Sequence, residues 1–176
     1  MKLGKCTEGV YYVQPTDLDK EGKEILSQLK DLEVGVYKAI PQYFIEEYRG
    51  LYYSDKNKIF INMKYAKNPG EFLTILRHEG WHAAQDCMAG TIDNNMIAII
   101  MDEEKVPQIW QDIASNTYRA TPHAIPWEKE AFWAGKTGGM TLEALQSCAR
   151  GKMWEDYDPT PMTEEWLIEN GYIQKG

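Results

Sequence analysis

Two histidines and a glutamate at a fixed spacing stand near the middle of the 176-residue chain. His78 and His82 are four residues apart, and Glu79 directly follows the first of them. On a helix, side chains four residues apart lie on the same face one turn apart, so both imidazoles can bind one ion. This is the H-E-x-x-H arrangement, in which the histidines hold zinc and the glutamate acts as a general base. The pattern therefore predicts a zinc site.

The segment that carries this motif has the start and stop signals of a single helix. Asn68 is a typical N-cap, Pro69 suits the first helical position, and Glu71 complements the positive end of the helix dipole. Gly90 can end the helix in a left-handed conformation. Another face carries apolar side chains that can anchor the helix in a core, namely Phe72, Leu73, Ile75 and Leu76. We therefore predict one helix over residues 68–90.

A hydrolytic zinc site needs a third protein ligand and a fourth position that is open to water. The third ligand must lie on an element that folds back over the motif helix. His123 lies in the proline-containing loop over residues 119–126, and Glu128 and Glu130 follow that loop. Because the two glutamates are two residues apart, their side chains would point in directions about 200° apart on a helix. They therefore cannot easily both bind the same metal ion. These three residues are the candidates for the third ligand.

Residues 76–86, LRHEGWHAAQD, resemble the active-site helix of the zincin metallopeptidases, including the small residues and the glutamine that often follow the second histidine. In the gluzincin branch the third ligand comes from a later helix, often in the pattern E-x-x-A. Residues 128–131 match that pattern as EKEA, so the resemblance favours Glu128 over Glu130. The chain departs from several gluzincins at Phe132, where they have an acidic residue.

The resemblance implies that the protein is a hydrolase that cleaves peptide bonds with zinc as its cofactor. Zinc held by His78, His82 and Glu128 would lower the pKa of a bound water towards about 7. Glu79 would accept a proton from that water and pass it to the leaving amine. A peptide or protein substrate is the partner that this chemistry implies.

Three further residues are candidates for supporting roles. The tetrahedral intermediate of peptide hydrolysis needs a hydrogen-bond donor, and Tyr118 and His123 are candidates because both precede the third-ligand segment. Asp86 follows His82 by one helical turn and can orient a ligand histidine.

Two other functions are compatible with the motif. One is a zinc-binding interaction domain of zincin fold without turnover, and the other is an amidase that acts on a non-peptide substrate. Glu79 favours hydrolysis over the first alternative, because a zinc site without catalytic activity has no use for a general base.

The composition of the chain limits the classes of binding partner and the cellular compartment that we expect. The net charge of −8 at pH 7 makes nucleic acid and anionic membranes poor partners. The N-terminal segment lacks the continuous apolar run of a signal peptide, and no run of eighteen apolar residues is present. The three cysteines, Cys6, Cys87 and Cys148, are scattered and odd in number, which predicts no disulfide framework and favours a reducing compartment. We therefore expect a cytoplasmic protein.

Strand signals lie before the motif helix. Residues 10–13 read as a short strand, and Thr16 or Asp17 is expected to cap a helix that runs to about Lys30. Residues 50–63 contain two β-type runs joined by the turn residues 55–57, which predicts a hairpin. The zincin resemblance implies that the second of these strands, residues 59–62, forms the sheet edge where an extended peptide can add as a further strand.

The second half of the chain is predicted to be mostly helical. Residues 91–101 and 102–118 read as helices, a further helix begins at Trp127 and ends near Gly135, and Thr141 is expected to cap a helix to about Arg150. A last helical turn is expected around Trp166. Taken together, the chain is predicted to be one α+β domain over residues 1–176. The resemblance makes that domain zincin-like, with a small twisted sheet on the motif helix and a helical C-terminal half.

Overall fold

A mixed sheet and a set of helices form the chain in the computed structural model, which describes residues 8–45, 47–90, 97–157, 164–171 and 174–175. In these ranges the strands are β1 (Val10–Tyr12), β2 (Gly35–Ala39), β3 (Gly50–Tyr53) and β4 (Lys58–Asn62). The α-helices are α1 (Lys20–Asp31), α2 (Pro69–Met88), α3 (Gln108–Thr117), α4 (Ile125–Gly135), α5 (Met140–Ala149), α6 (Met153–Asp156) and α7 (Glu164–Glu169). The predicted α+β class is confirmed. None of the described helices combines the length and the apolar composition needed to cross a membrane.

The sheet has the strand order β1-β2-β4-β3. Strands β3 and β4 form the predicted antiparallel hairpin, while β2 and β4 run parallel. Because β4 pairs on both sides, the expectation that residues 59–62 form the sheet edge is wrong, and β3 is the edge strand. The physical reason is burial: Ile59 and Ile61 of β4 are fully buried, so the most apolar strand takes a central position.

The main core lies between one face of the sheet and helices α1, α2 and α5. Its largest buried apolar side chains come from all of these elements, and they include Ile25, Leu29, Ile59, Ile61, Leu76, Trp81 and Leu145. Burying one such side chain stabilises the fold by about 1.5–3 kcal/mol. Helix α2 therefore has apolar contacts on several sides, which fixes the helix that carries the motif.

Helix α2 confirms the predicted limits of the motif helix. The Asn68 side chain accepts hydrogen bonds from the backbone N–H groups of Gly70 and Glu71 at 2.9 and 3.1 Å. The helix ends at Met88, and Gly90 follows with a positive φ of 114°. The capping residues named from the sequence therefore mark both ends.

Two other predicted helix caps are wrong. Helix α1 is capped by Asp19, whose Oδ1 accepts from the N–H of Gly22 at 2.8 Å. Residues 15–17 form a separate 3-10 turn instead, so neither Thr16 nor Asp17 caps α1. At α5 the N-cap position is occupied by Gly139, with a positive φ of 81°.

The segment between α2 and α4 differs from the prediction. Residues 97–100 are irregular rather than helical, and residues 91–96 lie outside the described part of the chain. The apolar side chains of Ile99 and Ile100 are buried without a helix, which explains why their composition suggested one. Helix α3 begins only after Pro107, and α4 begins at Ile125 rather than at Trp127.

The close contact of α2 with the C-terminal helices depends on two glycines. A Cβ on Gly80 would lie 3.0 Å from Cγ2 of Thr141 in α5. A Cβ on Gly135 at the end of α4 would lie 3.2 Å from the backbone oxygen of Thr74 in α2. Both distances are shorter than an ordinary carbon contact, so these glycines allow the helices to approach closely.

A disulfide joins the last turn of α2 to the last turn of α5. Cys87 and Cys148 are bonded, with their Cα atoms 6.1 Å apart and a sequence separation of 61 residues. The prediction of no disulfide framework therefore missed this bond. The sequence separation concealed the pairing, because only the packing of α2 against α5 brings the two residues together. Cys6 lies outside the described residues.

We expect the double substitution Cys87→Ser and Cys148→Ser to lower the free energy of unfolding by about 2–4 kcal/mol, because it releases a long closed loop in the unfolded chain. Urea unfolding of the non-reduced proteins measures the change. Wild-type protein in a reducing agent should show the same loss, and Cys6→Ser is the matched control that should show none. Three free thiols in the unfolded, non-reduced wild-type protein would contradict the pairing.

Candidate metal centre

Three side chains from two helices converge on one point. His78 and His82 of α2 and Glu128 of α4 each offer one ligand atom, and these atoms lie within 4.8 Å of one another. The two carboxylate oxygens of Glu128 are 2.9 Å from His78 Nε2 and 3.1 Å from His82 Nε2. Ligand atoms around one tetrahedral zinc ion lie about 3.4 Å apart, given metal–ligand distances near 2.1 Å. The cluster can therefore hold a metal ion.

The packing of α4 on α2 brings Glu128 to the histidines. Ala131, three residues after Glu128, is fully buried in the core, which is the arrangement expected of a small residue in a close helix contact. Gly135 continues the contact one turn later, where a Cβ would lie 3.4 Å from the Cβ of His78. Phe132 packs its ring against the His78 imidazole with a centroid distance of 5.0 Å. An aromatic contact thus occupies the position where several gluzincins have an acidic residue.

The structure separates Glu128 from the other two candidates for the third ligand. Glu130 is fully buried and accepts hydrogen bonds from Gln85 Nε2 at 2.7 Å and from the backbone N–H groups of Ile100 and Met101. His123 is exposed on the 3-10 turn over residues 122–124. Neither belongs to the cluster that the described residues form with the histidines.

The cluster opens into a cleft of about 250 Å³. The lining combines the ligand-type side chains with β3, the positions just before and after that strand and two more distant positions. It consists of Tyr48, Gly50, Leu51, Tyr52, Ser54, His78, Glu79, His82, Ile97, Tyr118 and Glu128. Glu79 is therefore in the same cleft as the three ligand-type residues. A water molecule or a small group bound there can contact both the ligand cluster and the Glu79 carboxylate.

Edge strand β3 closes tightly over Glu79. A Cβ on Gly50 would lie 3.0 Å from Glu79 Oε1 and 2.7 Å from Cγ2 of Ile75. Glu79 itself is buried, and this burial raises its pKa, while His78 and His82 lower the pKa and Glu128 raises it. Because glycine has no side chain, position 50 thus leaves the space that the Glu79 carboxylate occupies.

Tyr118 is the candidate donor that the structure brings to the cleft. Burial raises the pKa of its hydroxyl, and the carboxylates of Glu128 and Glu79 raise it further. The phenol therefore keeps its proton at neutral pH and can donate it in a hydrogen bond. His123 does not line this cleft.

His82 has a hydrogen-bond partner that was not predicted from the sequence. Gln85 Oε1 is 2.7 Å from His82 Nδ1. Asp86, the candidate named for that role from the sequence, accepts a hydrogen bond from the hydroxyl of Tyr52 and so links α2 to β3. The spacing of Gln85, three residues after His82 on the same helix face, is the signal that could have identified it.

Charge pairing dominates the electrostatics of the cluster. Burial alone would lower the pKa of His82, but the Glu128 and Glu79 carboxylates and Gln85 together outweigh it and raise that pKa above its ordinary value. Burial would raise the pKa of Glu128, but His82 and His78 outweigh it and lower the pKa. Each partner therefore favours the charged form of the other, and a metal ion bound here would take the place of a proton on His82 Nε2.

Comparisons of the chain with protein-family models, with curated proteins and with solved structures find no match. The zincin resemblance therefore stays a prediction that depends on the motif.

We expect Gly50→Ala to lower the free energy of unfolding by about 1–3 kcal/mol, because the added methyl group overlaps Ile75 and Glu79. Urea unfolding measures the change. Gly138→Ala is the matched control, since its Cβ would meet Arg77 at 3.6 Å, an ordinary contact, and its effect should stay within about 0.5 kcal/mol. Equal effects of the two substitutions would show that β3 does not close on Glu79 as described.

Proposed function

We propose that the protein is a zinc-dependent metallopeptidase of zincin type, in which His78, His82 and Glu128 hold zinc and Glu79 is the general base. The observation that carries the proposal is the convergence of two imidazoles and a carboxylate within 4.8 Å. Three protein ligands of these types are the set that catalytic zinc sites use when a fourth position is left for water. Glu79 lines the same cleft, as the proposed reaction requires.

The chain's own residues have distinct roles in this proposal. When bound, zinc supplies Lewis-acid chemistry, which makes water more acidic and polarises the scissile carbonyl. Glu79 accepts a proton from the attacking water and delivers it to the leaving amine. Tyr118 donates a hydrogen bond to the oxygen that becomes negatively charged in the tetrahedral intermediate.

The free edge of β3 supports a peptide as the substrate. In an antiparallel pair, hydrogen-bonded and non-hydrogen-bonded residue pairs alternate. The N–H of Asn62 donates to the carbonyl of Arg49 at 2.9 Å, so the backbone groups of Gly50 and Tyr52 point away from β4. No other described strand pairs with this side of β3. Since Gly50 and Tyr52 also line the cleft, an extended peptide paired with this edge would run past the metal cluster.

We expect the zinc-loaded protein to hydrolyse a mixture of quenched-fluorescent peptides, and we expect Glu79→Gln to lower the rate by about 10²–10⁴-fold at an unchanged zinc content. The substitution removes the proton acceptor but none of the proposed ligands. Glu71→Gln, on the same helix but outside the cleft lining, is the matched control and should retain the wild-type rate.

Each other outcome of this assay has a definite meaning. Full activity of Glu79→Gln would show that Glu79 is not the general base. Hydrolysis of small amides without hydrolysis of any peptide would identify an amidase. A zinc-loaded wild-type protein that hydrolyses neither would identify a zinc-binding domain without turnover.

A further inference from the structure

The ring of His82 has two nitrogens with different environments. Nε2 faces Glu128 at 3.1 Å, whereas Nδ1 faces the side-chain oxygen of Gln85 at 2.7 Å. An amide oxygen only accepts hydrogen bonds, so this short contact requires a proton on Nδ1. With the proton on Nδ1, the lone pair of Nε2 is free for a metal ion once the neutral tautomer forms. The orientation of the Gln85 amide therefore determines which nitrogen of His82 can bind metal.

The amide orientation of Gln85 follows from its other neighbours. Its second amide atom, Nε2, lies 3.2 Å from the backbone oxygen of Trp127 and 2.7 Å from Glu130 Oε1. A backbone carbonyl can only accept, so the NH₂ group must face Trp127 whatever the protonation state of Glu130. The oxygen of the amide is thereby directed to His82.

Glu130 in turn is fixed by backbone groups. It is fully buried, and it accepts hydrogen bonds from the N–H groups of Ile100 and Met101 at 2.9 and 3.0 Å. The same segment contacts the backbone of Gln85, whose carbonyl accepts from the N–H of Ala98 at 3.0 Å. The carboxylate therefore cannot turn away without breaking several buried hydrogen bonds.

Helix α4 thus influences the side chains of both histidines of α2. Glu128 contacts the two imidazoles directly, while Glu130 reaches His82 only through Gln85. The two glutamates point in different directions, as their spacing predicts, and both contribute to one centre.

We propose that Gln85 is a positioning residue of the metal centre, which holds the His82 ring with Nδ1 protonated and Nε2 directed at the metal ion. This inference rests on the proposed metal site. Without the amide oxygen, the ring can take the other tautomer or turn over, and a buried Nδ1–H loses its partner. Removing such an outer partner of a ligand histidine typically weakens metal binding by about 10–100-fold.

Zinc affinity, measured by competition with a chromophoric chelator, tests the role of Gln85. We expect Gln85→Met, which has a similar length but no acceptor for Nδ1–H, to weaken zinc binding by about 10–100-fold. Thr141→Val is the matched control, since Thr141 is also fully buried and donates a hydrogen bond to the backbone oxygen of Arg77 in α2. Its zinc affinity should equal that of the wild-type protein.

A second measurement uses the wild-type protein and does not depend on whether a variant folds. In protein loaded with cadmium-113 and labelled with nitrogen-15, we expect the metal to couple to Nε2 of His82 and Nδ1 to retain its proton. Coupling to Nδ1, or an unprotonated Nδ1, would overturn the inference. Equal zinc affinities of the wild-type protein and Gln85→Met would also overturn it while leaving the metal site intact, whereas a wild-type protein that binds no metal overturns the site and the inference together.

Discussion

The close approach of α4 to α2 is the constraint on which the candidate metal centre depends. Gly135 allows this approach, because a side chain there would meet the backbone of Thr74 and the Cβ of His78. Fully buried Ala131 fills the interface with little volume. As a result, the carboxylate of Glu128 lies between the two imidazoles, whose alignment with each other depends only on α2. Larger side chains at this helix contact would move the Glu128 carboxylate away from the histidines while leaving α2 itself unchanged.

Ionisable groups are concentrated where these helices meet, and three of them on α4 have partners that offset the cost of burial. Glu128 is paired with both histidines, and Glu130 receives hydrogen bonds from backbone and side-chain donors. Lys129, between them in sequence, is buried and paired with Glu103. Buried charge of this density does little for stability compared with apolar packing, so its presence supports the chemical role that we propose for the interface.

Apart from Glu128, which the family resemblance favoured, the features that the sequence predicted are local, and those that it did not predict depend on packing. The limits of α2 follow from Asn68 and Gly90, because capping is decided within a few residues. The Cys87–Cys148 bond and the central position of β4 depend on which elements become neighbours, and a single sequence does not show this. Gln85 is an intermediate case, since its spacing from His82 is visible but its amide orientation depends on Trp127 and Glu130.

The central claim is that His78, His82 and Glu128 form one metal site. The most direct test is elemental analysis of protein purified without added metal, comparing the wild type with His82→Ala and Glu128→Ala. We expect about one zinc ion per wild-type chain and a strongly reduced content in both variants, because each variant removes one of the three proposed ligands. Wild-type protein without zinc, or variants that retain the full zinc content, would contradict it.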